Sequence, residues 1–158
     1  MAYLAGFLKD DEQGIAEKTI PELAAESVTT VNNRSPTAVV SLIDKDTTRE
    51  EFLHYSGRPE LVSLYYIGHG LDGFIYSSLK QRIAPRDIRC RAKLGSVVLV
   101  SCQAGLRQEA WLKVFNHPDQ FKAWPGPVSY LQALFAFNLF YYPAHLDAVI
   151  ARLNRAHE

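Results

Sequence analysis

Apolar residues in this chain gather in short runs that alternate with stretches of helical spacing. Residues 2–8 (AYLAGFL) form an apolar run closed by a charged turn, which predicts a buried strand. Over residues 15–31 the pattern changes. Ile20, Leu23, Ala24, Ser27, Val28 and Val31 recur at steps of three and four, with Pro21 near the first turn, as an amphipathic helix requires. Turn formers at residues 32–36 lead into a β-branched run, TAVVSLI, at residues 37–43. Thr47 or Thr48 is placed to cap a short helix whose first turn holds Glu50 and Glu51, where negative charge suits the positive end of the helix dipole. Gly57 and Pro59 stop that helix.

The middle of the chain holds two more strand patterns. Residues 61–68 (LVSLYYIG) and 96–100 (SVVLV) are nearly continuous in apolar residues, the mark of parallel strands covered on both faces. Between them, Asp72-Gly73 followed by Phe74, Ile75 and Tyr76 predicts a small hairpin, and residues 79–88 a short helix interrupted by Pro85. Beyond the last of these strands come a helix at residues 107–115, a short strand at 121–124 and a rigid Pro125-Gly126-Pro127 loop. Two helices at 131–142 and 145–156, separated by Pro143, complete the chain. Alternating β and α elements predict a mostly parallel sheet with helices on both faces, a three-layer α/β/α sandwich in one domain over residues 1–158.

Composition narrows the function classes. The 158 residues suffice for a core without metal or disulfide staples. Seventeen basic and seventeen acidic side chains cancel, so no net field draws the chain to nucleic acid or to an anionic membrane. The basic run Arg82, Arg86, Arg89, Arg91 and Lys93 is broken by Asp87 and has no interleaved aromatics, which reads as a solvated face. No apolar run reaches the roughly 20 residues that span a bilayer, and no signal peptide opens the chain, so the expected compartment is the cytoplasm. Cys90 and Cys102 sit in unlike contexts and are expected to remain reduced. His54, His117, His145 and His157 have no metal-ligand spacing with Cys102, and no phosphate loop is present, so no metal and no cofactor are expected.

Reactive groups in an open parallel sheet gather past the carboxyl ends of the strands. His69 and Cys102 each hold that position. An imidazole beside a thiol can take its proton and free the sulfur to attack a carbonyl. Gly70 leaves room for close approach, and its N–H with that of Cys102 would face a developing oxyanion. Singly, each residue has an ordinary reading, since a strand-end cysteine packs as a small hydrophobe and His-Gly is a common turn. Together, at the ends of two strands separated by one excursion, they form a candidate dyad.

Residues 65–70 (YYIGHG) and 97–105 (VVLVSCQAG) resemble the two signature blocks of caspase-like cysteine peptidases, nearest the bacterial CHAT group. Residues 82–88 (RIAPRDI) and 123–130 (AWPGPVSY) also look CHAT-like. The resemblance implies an endopeptidase in which His69 is the general base and Cys102 the nucleophile of a thioester acyl-enzyme, with Gly70 and Cys102 amides as the oxyanion hole. It places Ser101, Gln103, Trp124, Pro125, Gly126 and Ser129 around the substrate pocket, with Asp72 or Asp119 as an acidic floor. Relatives that cut after charged residues carry a charged side chain close to the cysteine, whereas Val100, Ser101 and Gln103 are its neighbours here. The implied partners are a protein or peptide substrate and a separate regulatory or sensor protein. The alternative is an inactive caspase-like interaction module in a regulatory or defence complex, docking through its aromatic helix and the Trp124 loop.

Overall fold

The computed structural model describes residues 2–6, 39–43, 47–77, 80–128 and 151. The helices expected over 15–31 and 131–142 lie outside them, as does Ser129, and of the 145–156 helix only Ala151 is described, as helical. The architecture is mixed α/β, built on a parallel sheet with a small antiparallel sheet beside it.

Five strands form the parallel sheet: β1 (Ala2–Gly6), β2 (Val39–Ile43), β3 (Ser63–Ile67), β7 (Ser96–Val100) and β8 (Gln120–Ala123). Their spatial order is β2-β1-β3-β7-β8, with every pairing parallel. The two runs with the most continuous apolar character, β3 and β7, are direct neighbours in register from Ser63 opposite Ser96 to Ile67 opposite Val100. Both faces of this pair are buried. Leu64, Tyr66, Val97 and Leu99 join the main core on one face, while Tyr65, Ile67, Val98 and Val100, at the alternate positions, are 0–6 % exposed on the other.

The first helix, α1 (Arg49–Ser56), starts where Thr48 Oγ1 accepts the Glu51 N–H at 3.2 Å, so Thr48 and not the buried Thr47 is the cap. Its Phe52 meets Tyr66 edge to face, 5.5 Å between ring centres. The second, α2 (Gln108–Val114), buries Trp111, which stacks on Phe115 in the same core.

The small sheet is the excursion between β3 and β7. Its strands β4 (Gly70–Leu71), β5 (Phe74–Tyr76) and β6 (Arg82–Ile83) pair antiparallel in that order. Asp72 and Gly73 both have positive φ, +55° and +86°, which is the type I′ geometry expected of Asp-Gly. The helix expected at 79–88 does not form. Arg82 and Ile83 instead pair with Tyr76 and Ile75, and Pro85–Asp87 make a single 3-10 turn. Ile83 buries itself against the core better from an edge strand than a helix broken at Pro85 would allow. Among the described residues no helix is long and apolar enough to cross a membrane.

Candidate active site

The β3–β7 register places His69 and Cys102 equivalently, each two residues past the last paired residue of its strand. The pairing continues one step beyond, because Gly68 N–H donates to the Val100 carbonyl at 3.1 Å. His69 is exposed, and its carbonyl accepts the Tyr76 N–H at 3.0 Å, which anchors the residue to the hairpin. That bond, with Gly70 opposite Ile75, makes Gly70–Ile75 a pair that exchanges no hydrogen bonds, so the Gly70 N–H faces away from β5.

Gly70 lies hard against the cysteine strand. A Cβ there would stand 2.1 Å from Ser101 Oγ and 2.3 Å from the Cys102 carbonyl oxygen, so only glycine fits. Ser101 is sealed beneath it at 1 % exposure, and its hydroxyl has no hydrogen-bond partner among the described residues. Ser101, expected to line a substrate pocket, is shut off from solvent here by the close approach of the Gly70 backbone.

The Cys102 sulfur is half-buried. The Val128 N–H donates to it at 3.4 Å, and the thiol faces the Val128 carbonyl at 3.7 Å. None of the described residues accepts a hydrogen bond from the Cys102 N–H. Gln103 then turns the chain sharply, at φ +64°, into a 3-10 turn over Ala104–Arg107. Its N–H donates to the Gly126 carbonyl at 3.0 Å, and its side-chain Oε1 accepts the Asp72 N–H at 2.8 Å. The Gln103 amide oxygen is thus engaged by the hairpin tip. Gly105 N–H binds the Trp124 carbonyl at 2.8 Å, which completes the seam between the cysteine loop and the 124–128 loop.

Trp124, Pro125 and Gly126 accordingly run alongside Cys102. Trp124 is half-buried and carries the Lys122 ammonium 5.1 Å from its ring centre. Asp72 sits exposed at the hairpin tip, where its carbonyl accepts Arg107 Nε–H at 2.9 Å. Asp119 does not belong to this rim. It immediately precedes β8, whose Gln120 is level with Ser96, so it sits at the amino ends of the strands, roughly 20 Å along the strand direction from Cys102. There it faces Lys93 at 3.8 Å.

Two contacts of this neighbourhood escaped sequence reasoning. Val128, within the loop expected at the pocket, brackets the sulfur itself, which nothing in its apolar side chain signals. Trp111 Nε1–H donates to the Gly73 carbonyl at 3.0 Å and so fixes the hairpin from below, a contact across 38 residues that no local pattern shows. Cys90 lies away from the rim, half-buried beside the Ala92 carbonyl, and burial pushes its thiol pKa up. Both cysteines are free, and the described residues contain no group of three or more His, Cys, Asp or Glu able to hold a metal. No family model, no curated protein and no solved structure matches this chain.

Proposed function

We propose that this chain is a caspase-like cysteine endopeptidase acting on a protein or peptide substrate, with His69 and Cys102 as its dyad. The observation that carries this reading is the equal overrun of two paired strands, His69 and Cys102 each standing two residues past a shared register. In the proposed reaction His69 accepts the thiol proton as sulfur bonds to the scissile carbonyl carbon. The tetrahedral oxyanion is met by the Gly70 and Cys102 N–H groups, neither of which is committed to the neighbouring ladder. Collapse breaks the C–N bond, the imidazolium returns its proton to the leaving amine, and water hydrolyses the thioester. The Trp124–Gly126 loop is the proposed wall of the substrate pocket. Burial on both faces of β3 and β7 supports a three-layer sandwich as the parent architecture. A separate regulatory protein remains part of the proposal.

One observation favours the second reading, an inactive interaction module: the sulfur already has the Val128 amide and carbonyl as polar neighbours. Two measurements separate the readings. Cleavage of a peptide library by the parent protein, abolished in Cys102→Ala, supports the peptidase; undiminished cleavage by the variant removes Cys102 from the mechanism. Iodoacetamide at neutral pH should modify Cys102 well ahead of Cys90, whose thiolate is disfavoured by burial. If both thiols stay inert while the protein is folded, the interaction module is the correct account.

A further inference from the structure

A second feature of the chain lies outside the rim around Cys102. Phe74, Arg82, Ala84, Pro85, Arg86, Arg107 and Ala110 line a solvent-open cavity of about 300 Å³. It is formed where β5, β6, the Pro85–Asp87 turn and the start of α2 meet. Three arginines are among the residues that line it, and no acidic residue is. Arg82 and Arg86 belong to the basic run that reads in sequence as a solvated face, and folding joins them to Arg107 from a separate segment.

The guanidinium carbons of Arg82 and Arg107 lie 4.8 Å and 4.2 Å from the centre of the Phe74 ring. Contact with one ring holds both planar groups in place and leaves their N–H edges available. Arg107 is also tied by Nε to the Asp72 carbonyl, and its terminal nitrogens have no hydrogen-bond partner among the described residues. The nearest carboxylate in sequence, Asp87, is occupied: its Oδ2 accepts the Ala84 N–H at 2.9 Å and faces Arg49 at 3.4 Å. Among the described residues no carboxylate pairs with Arg82, Arg86 or Arg107.

We propose that this cavity binds a small phosphorylated anion, its phosphoryl group held by Arg82, Arg86 and Arg107. A phosphoryl group brings close to two negative charges and three acceptor oxygens, which suits three forked cations better than a single carboxylate does. The volume is at the lower end for small-molecule sites. Ala84, Pro85 and Ala110 give the apolar wall that would cover the remainder of such a ligand. A polymer is disfavoured because the chain has no net charge to attract one.

The test uses the full chain and inorganic phosphate or pyrophosphate as probe, with succinate and sodium chloride at matched ionic strength as comparisons. Thermal denaturation should show a saturable rise, roughly 5 °C or more at a hundredfold excess over Kd. Titration calorimetry should show binding weakened about tenfold or more in R82Q and in R86Q, and unchanged in R91Q, whose side chain is outside the cavity. R86Q carries the test if R82Q proves unfolded by circular dichroism, since the Arg86 side chain makes no hydrogen bond or ion pair among the described residues. Absence of a saturable phosphate effect overturns the proposal, as does equal affinity in R86Q and parent. A response to succinate equal to that to phosphate overturns the assignment to a phosphoryl group.

Discussion

Replacing Gly70 by alanine exchanges a hydrogen for a methyl group at the tightest point of the rim. The new Cβ would stand 2.1 Å from Ser101 Oγ, 2.3 Å from the Cys102 carbonyl oxygen and 3.1 Å from Ser101 Cβ. Favourable contacts between heavy atoms lie near 3.5–4.0 Å, so two atoms must each retreat by more than about 1 Å. The hydroxyl can turn about one bond, but the carbonyl belongs to the backbone of the loop seated on the 124–128 segment. Overpacking of this kind costs roughly 1–3 kcal/mol. For a chain of this size that is a fall in Tm of roughly 2–12 °C, read by urea titration and thermal melting together. Gly126→Ala is the matched control, because nothing lies within 4 Å of a Cβ built there. It should be neutral, or stabilising by about 0.4–1 kcal/mol through the unfolded chain. In the double variant Gly70→Ala/Ser101→Ala the hydroxyl clash is gone but the carbonyl clash remains, so most of the loss should persist. A Gly70→Ala protein no less stable than Gly126→Ala would refute the close approach of the two loops.

Two further outcomes follow from single residues. Ser101→Ala removes a buried hydroxyl with no partner among the described residues and should leave stability unchanged or raise it by about 1 kcal/mol; a loss above about 1 kcal/mol in urea unfolding would mean the hydroxyl has a partner in solution. Burial opposes the charge of Asp87, but the Ala84 N–H and the Arg49 guanidinium outweigh it and hold the carboxyl below its usual pKa. A depressed folded-state pKa contributes stability that is present above the unfolded value, about 3.9, and lost as pH falls through the folded one. Asp87→Asn should therefore be less stable than the parent by about 1 kcal/mol near pH 7, with the gap closing below about pH 4; a gap of equal size at pH 3 and pH 7 would count against the ion pair.

Most of what positions the candidate dyad was legible as pattern. SLYYI and SVVLV are apolar at consecutive positions because both faces of β3 and β7 are covered, and that same feature marks them as central parallel strands. Asp72-Gly73 named its own turn, since few other pairs accept two successive positive φ values. Arg82 and Ile83 were not legible: a two-residue strand has no alternation to read, and its existence depends on Tyr76 and Ile75 across an intervening loop. Asp119 looked eligible for the rim only because spacing along the chain says nothing about which end of a strand a residue meets. Parallel register decides that, and it puts Asp119 at the far end. The burial of Ser101 is likewise a property of the partner segment, not of its own neighbours. Arg107 lies 21 residues beyond Arg86, so no window on the chain joins the three arginines that share one cavity.

The hairpin of β4 and β5 is too short to persist alone in water. It is riveted at both ends, by the Tyr66 hydroxyl on the Tyr76 carbonyl and by the Trp111 indole on the Gly73 carbonyl, and both donors are core side chains at 0 % exposure. Local opening of this outcrop consequently requires the interior to loosen first. Its bonded Tyr76 and Asp72 amides should accordingly exchange more slowly than those of an unanchored hairpin, and a surface protrusion that invites a protease by its location should resist one by its anchorage.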